Sequence, residues 1–191
     1  EDIAAVDTFY DALAPYGRWV DSPDYGMVWT PSRAQVGVSF VPYSTGGSWQ
    51  YTDVGWMFTT SWEWGWAPFH YGRWFRDSRW GWVWVPGSVW APAWVDWRFG
   101  GGYVGWAPLP PRHHRTMWIF AHARDIHRPH IHRYVVRSSP RYYRATSPIR
   151  TPANDPPHAT RTLSTTRICA RTFASIVDRT SPKSTPTDSA I

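Results

Sequence analysis

Cysteine is nearly missing from this chain. Cys169 is the only one in 191 residues, which excludes an internal disulfide framework and a cysteine-based zinc site. Lysine does not occur in residues 1–111, where six Arg face ten Asp or Glu for a net charge of −4. No apolar run approaches the ~18 residues that suggest a membrane span. Nucleophile elbows, phosphate-binding loops and Ser/His catalytic signatures are lacking as well. Between residues 14 and 111, glycine and proline recur every few residues, and no helix of ordinary length fits between them.

What the chain has is tryptophan. Fifteen of its sixteen Trp fall in residues 1–111, whereas residues 112–191 hold seven of the eight His and a net charge of +10. The first part reads as a folded, mildly acidic body and the second as a basic appendage. The chain opens on Glu1 rather than methionine, so a processed form is expected, with any secretory signal lost upstream.

The body contains an internal repeat. Residues 16–31, Tyr-Gly-Arg-Trp-Val-Asp-Ser-Pro-Asp-Tyr-Gly-Met-Val-Trp-Thr-Pro, match residues 71–86 at eight of sixteen positions without a gap. The shared pairs are Tyr16/Tyr71, Gly17/Gly72, Arg18/Arg73, Trp19/Trp74, Gly26/Gly81, Val28/Val83, Trp29/Trp84 and Pro31/Pro86. A unit of this size is a supersecondary block. Asp2–Leu13 predicts the one helix of the body, capped by Asp2, with an apolar stripe of Ile3, Val6, Phe9, Tyr10 and Leu13, and ended by Pro15 and Gly17.

The remaining runs are rich in Val, Trp, Tyr and Phe, the composition of strands. Trp62, Trp64 and Trp66 stand at i, i+2 and i+4, as do Trp80, Trp82 and Trp84, and in a strand each triplet lines one face. Four hairpins follow: Arg18–Asp21 with Gly26–Trp29, Ser48–Tyr51 with Gly55–Phe58, Arg73–Arg76 with Trp80–Val85, and Trp94–Phe99 with Tyr103–Ala107. The fold class is therefore mainly β, an antiparallel meander rolled into an open barrel or left as a twisted ribbon.

Four regions result: a helix and lead-in at 1–16, the Trp-rich hairpin domain at 17–111, a His/Arg-rich extension at 112–136 and a Ser/Thr/Pro/Arg-rich tail at 137–191. Met117–Ala121 and Ile131–Val136 are expected strands of the extension. The tail is expected to be largely disordered, with a weak helical pattern over Leu163–Val177.

Specific segments carry a resemblance: Phe9-Tyr10-Asp11-Ala12-Leu13-Ala14-Pro15-Tyr16-Gly17-Arg18-Trp19, Trp64-Gly65-Trp66-Ala67-Pro68-Phe69-His70-Tyr71-Gly72-Arg73-Trp74, Gly81-Trp82-Val83-Trp84-Val85-Pro86-Gly87 and Val104-Gly105-Trp106-Ala107-Pro108-Leu109-Pro110-Pro111. With His130-Ile131-His132-Arg133-Tyr134-Val135-Val136 as their continuation, residues 8–136 resemble a family of secreted or lipid-anchored bacterial proteins catalogued as a domain of unknown function (number sixty-six hundred). The resemblance implies an extracytoplasmic bacterial setting and brings no activity, cofactor or catalytic residue with it.

Candidate chemistry is sparse. Buried aromatics are usually core, yet so many indoles in ~95 residues exceed a small interior. An exposed strip is expected, with Trp62/Trp64/Trp66 or Trp80/Trp82/Trp84 as a platform for sugar rings. Asp21, Asp24, Asp53 and Asp77 fall in or beside turns, where Asp bonds its own backbone. Glu63 and Asp96 are the acids in strand-like aromatic settings, the only pair suited to a glycosidase.

His122, His127, His130 and His132 would be the metal ligands if there were any, with His130 and His132 on one strand face. Arg124, Arg128, Arg133, Arg137, Arg141 and Arg144 would meet a polyanion. The residues favour a non-enzymatic structural or interaction module, exported as the resemblance implies. Its partner would be an envelope polymer (peptidoglycan or an anionic polysaccharide) or another copy of itself, rather than nucleic acid, and no cofactor is expected. A carbohydrate-binding module is the alternative, and an enzyme acting on envelope polysaccharide the third reading.

Overall fold

A computed structural model describes residues 3–136 and 140–149. The predicted helix is α1, Ile3–Leu13, and the turn Ala14–Tyr16, with Pro15 inside it, closes its end; Asp2, the expected cap, lies outside the described residues. Phe9 and Leu13 are its buried contacts. Tyr10, expected in the same stripe, is exposed and stacks on Trp19 at 5.3 Å.

All four hairpins form. β1 (Gly17–Ser22) pairs with β2 (Gly26–Pro31). A single helical turn, α2 (Arg33–Val36), leads to β3 (Gly47–Thr52) and β4 (Gly55–Thr60). β5 (Arg73–Asp77) pairs with β6 (Gly81–Val85), and β7 (Val95–Gly100) with β8 (Tyr103–Pro108). Gly26 and Gly81, equivalent in the repeat, open their strands at φ 66° and 81°, a region costly to a residue with a Cβ. Asp77 Oδ1 accepts the backbone N–H groups of Arg79 and Trp80 at 2.7 and 3.0 Å, the turn role expected of it.

The fold is mainly β and antiparallel, as expected, and no sheet among the described residues closes into a barrel. The strands make three antiparallel sheets among the described residues: β1-β2-β6-β5, the β3-β4 hairpin, and a five-stranded sheet. In the first, the repeat meets itself. β2 and β6 pair with Trp29 opposite Trp84, residues that correspond in the repeat, so a local two-fold relation links the two hairpins. Trp19 lies opposite Trp29 and Trp74 opposite Trp84, giving a line of four indoles across four strands.

This line exists because a glycine makes room beneath it. A Cβ on Gly17 would lie 2.3 Å from the Thr30 carbonyl and 2.5 Å from the Trp29 ring. A Cβ on Gly72 would lie 2.1 Å from the Val85 carbonyl and 2.7 Å from the Trp84 ring nitrogen. Gly72→Ala should therefore cost about 2 kcal/mol or more, through overpacking added to strain at φ 64°. Gly81→Ala meets nothing within 4 Å and should lose only the strain component, about 1 kcal/mol. Urea unfolding midpoints of the two variants test the difference.

The five-stranded sheet runs β10-β9-β8-β7-β11, where β9 is Ile119–His122 and β10 is Val135–Val136. β9 bears out the first strand expected in the extension. The second is corrected: Ile131–Arg133 is a 3-10 turn, closed by Arg133 N–H to the His130 carbonyl and Tyr134 N–H to the Ile131 carbonyl, both at 2.9 Å. Buried Ile131 anchors the turn so that two residues can return to β9.

The tail also departs from expectation between residues 140 and 149. There, α3 (Pro140–Ala145) and β11 (Ser147–Ile149) dock on the edge of β7. Arg98, only 8% exposed, fixes them. Its Nη2 donates to the carbonyls of Tyr143 and Thr146, its Nε to Thr146 Oγ1 at 3.1 Å, and its guanidinium lies 3.8 Å from the centre of the Tyr143 ring. A polar composition gives no hint of a segment held by one cation from another strand. Leu163–Val177 and Arg137 lie outside the described residues.

Candidate functional site

Ten of the sixteen tryptophans are buried: 29, 49, 56, 64, 74, 82, 84, 94, 97 and 106. Burying an indole leaves its N–H in need of an acceptor, and the fold supplies backbone carbonyls from distant segments. Trp29 donates to Leu13, Trp74 to Pro68, Trp84 to Tyr71, Trp94 to His70 and Trp106 to Tyr43, at 2.7–3.1 Å. Five of the ten buried indoles are thus interior cross-links, whereas the N–H groups of Trp49 and Trp64 are buried without an acceptor among the described residues. Only Trp66 and Trp90 are exposed, at 49% and 46%.

The predicted platforms take other forms. Trp62, Trp64 and Trp66 do not lie on a strand, because Glu63–Trp66 is a 3-10 turn. Its backbone bonds are satisfied locally, Gly65 N–H to Trp62 at 2.9 Å and Ala67 N–H to Trp64 at 3.2 Å, instead of across a ladder. Trp62 and Trp64 stack face to face at 4.9 Å with Phe69 beside them, which sends them inward and leaves Trp66 outside. In the second triplet Trp82 and Trp84 enter the main core. Trp80, in the turn before positive-φ Gly81, packs instead on the separate cluster of Val28, Phe75 and Val83. That cluster is partly covered by the extension, His114 lying 4.2 Å from Phe75 and Arg112 accepting the Tyr25 hydroxyl.

Around Trp66 the surface is organised. Phe9, 3% exposed, packs against Trp66 at 5.6 Å and against Tyr71 and Trp84 at 5.3 and 5.4 Å. Side chains three apart eclipse in a 3-10 turn, so Glu63 shares the face of Trp66. Tyr16 donates its hydroxyl to Glu63 Oε2 at 2.6 Å. That bond, reinforced by partial desolvation and the nearby charge, raises the Tyr16 phenol above its ordinary range. Tyr16 is held in turn by its carbonyl, which accepts Ser32 N–H at 2.9 Å. Trp66 and Glu63 stand out in the sequence for separate roles, whereas Tyr16 offers no local signal. Asp96, the proposed partner of Glu63, stands in β7 opposite Ala107.

A second exposed group surrounds Trp90. His70 stacks on it at 5.9 Å and its Nδ1 lies 3.2 Å from the Ala91 carbonyl, while the Arg73 guanidinium sits 3.6 Å over the Trp94 ring. Burial pushes the His70 imidazole below its ordinary 6.5. The unfolded chain therefore takes up this proton first as pH falls, and stability should drop as pH falls below 6.5 until the lower native pKa is passed. His70→Gln should flatten that part of a stability–pH profile; an unchanged slope would show that another group carries it.

The histidines of the extension are dispersed. His122 packs on Tyr103 at 4.8 Å and His127 on Trp56 at 4.9 Å, and His130 and His132 lie at 6.1 Å, edge to face, astride the 3-10 turn. They do not share a strand face. Among the described residues no group of three His, Cys, Asp or Glu is placed to hold a metal ion. Arg124 and Arg128 flank Asp125 at 3.9 and 3.7 Å; Arg133 is exposed, and Arg141 and Arg144 lie on α3. A shallow cavity of about 560 Å³ at the β1–β2 turn is lined by Asp21, Asp24, Tyr25 and Pro86, among others. No described helix is long and apolar enough to cross a membrane.

Fold and surface together define a tryptophan-packed β-hairpin protein whose exposed indoles stand singly. The chain belongs to the family of unknown function DUF6600, whose sequence profile matches residues 10–113. No curated protein and no solved structure matches it.

Proposed function

We propose that this protein is a non-enzymatic structural or interaction module, exported by a bacterium and working in the cell envelope or extracellular matrix. The observation that carries the reading is the use of tryptophan as internal cross-link. Indole N–H groups tie α1, the loops and two sheets together, so the scaffold keeps its shape without disulfides in a region outside the cell. Contact with partners runs through isolated aromatics (Trp66, Trp90 and the Tyr10–Trp19 stack) and through β1, β5 and the β3-β4 hairpin, whose outer edges are unpaired by other strands among the described residues. Such edges favour self-association.

Light scattering against concentration tests this. Assembly should grow with concentration and weaken when Gln50→Lys and Tyr51→Lys charge the exposed positions of β3. A strictly monomeric species at high concentration that also ignores envelope polymers would contradict the proposal. A second reading, carbohydrate binding, is favoured by one arrangement, the exposed indole of Trp66 beside an oriented carboxylate.

A further inference from the structure

We infer that Trp66, Glu63 and Tyr16 form a binding site for one pyranose unit of a neutral or amino-sugar polymer. The inference deepens the carbohydrate-binding reading and rests on it. Three features define the ligand. The indole of Trp66 is half exposed yet anchored from below by buried Phe9, giving a rigid apolar surface of the size of a sugar ring's C–H face. Such a surface is pre-organised and loses little side-chain freedom on binding.

Glu63 lies on the same face of a turn too short to twist them apart. An ionised carboxylate only accepts hydrogen bonds. With one oxygen taken by Tyr16, its remaining lone pairs call for ligand donors: hydroxyls, an acetamido N–H or an ammonium. The Tyr16 bond fixes the carboxylate plane, so the acceptor direction is set before the ligand arrives.

The same charge selects against competitors. Uronates, sulfated sugars and phosphates bring negative charge to a carboxylate, on a body that is already net acidic over residues 1–111. The arginines that would welcome a polyanion, Arg124, Arg128 and Arg133, belong to a different part of the chain. A polymer of uncharged or amino sugars fits the indole and the acid together, whereas an anionic polysaccharide is repelled by the acid.

The test is a fluorescence and calorimetric titration of the full chain with the β-1,4-linked tetramer of N-acetylglucosamine, its de-N-acetylated form and polygalacturonate. The two amino-sugar oligomers should bind and polygalacturonate should not. Trp66→Ala should weaken binding at least about tenfold and remove the fluorescence change, with circular dichroism unaltered. Glu63→Gln should weaken it several-fold, most for the de-N-acetylated oligomer, and narrow the discrimination against polygalacturonate, a readout that a structural role for Glu63 would not move. Tyr16→Phe should have a smaller effect of the same sign.

Binding that survives Trp66→Ala but is lost in Trp90→Ala would overturn this site while leaving the carbohydrate-binding reading intact. Equal or tighter binding of polygalacturonate would overturn the ligand class. Absence of binding to every polymer would overturn both, leaving self-association as the remaining contact.

Discussion

Trp84→Ala is expected to lower the unfolding free energy by about 3–5 kcal/mol, the range for large aromatic truncations in a core, and in a domain of ordinary stability that approaches loss of the fold. Trp84 is fully buried. It stands opposite Trp29 at the junction of the two repeat hairpins and opposite Trp74 within its own. Its ring fills the space above Gly72 and meets Phe9 edge-on at 5.4 Å, and its N–H holds the Tyr71 carbonyl at 2.7 Å. Truncation leaves a cavity, a partly buried carbonyl without its donor, and a glycine with no covering ring.

Trp66→Ala, on the exposed side of the same cluster, should cost under about 1 kcal/mol. Urea denaturation of the two variants gives the comparison. Equal losses would mean that the aromatic content contributes generally and that the junction is nothing special.

The second large effect is local. Arg98→Met should detach α3 and β11 from β7 without unfolding the rest. Hydrogen bonds from a charged donor contribute ~1.5–3 kcal/mol each, and the guanidinium makes three to the end of α3 while stacking on Tyr143. Loss of the group should destabilise the docked segment by about 4 kcal/mol or more, more than three paired residues of β11 can offset. Amide hydrogen exchange should show Trp97 and Phe99 in β7 exchanging far faster while Trp29 and Trp84 stay protected. Unchanged protection in β7 would show that β11 is held by something other than Arg98.

Local chemistry was readable and long-range assembly was not. The four hairpins follow from turn acids such as Asp77 and from glycines such as Gly26 and Gly81 that start returning strands, all interactions within a dozen residues. Nothing in the repeat announces that its two copies pair through Trp29 and Trp84, because that contact depends on the whole layout. The i, i+2, i+4 spacing misled at Trp62–Trp66, since a 3-10 turn closed by its own backbone bonds can carry the same spacing with the rings directed inward. Arg98 reads as one polar residue in a strand; only the fold shows residues 140–149 gathered around it.

Within the candidate site, Trp66 and Glu63 were both visible as residues of interest, one as a platform member and the other as a possible catalytic acid. Their joint face depends on turn geometry, and Tyr16 arrives from forty-seven residues away, so the grouping had no sequence signature.

Hydrogen exchange at the indole N–H groups, resolved by nitrogen-15 NMR, addresses the central claim most directly. The N–H protons of Trp29, Trp74, Trp84 and Trp106 should exchange only through global unfolding, with those of Trp66 and Trp90 exchanging at once. Uniformly fast exchange across all sixteen would contradict an interior built from tryptophan cross-links.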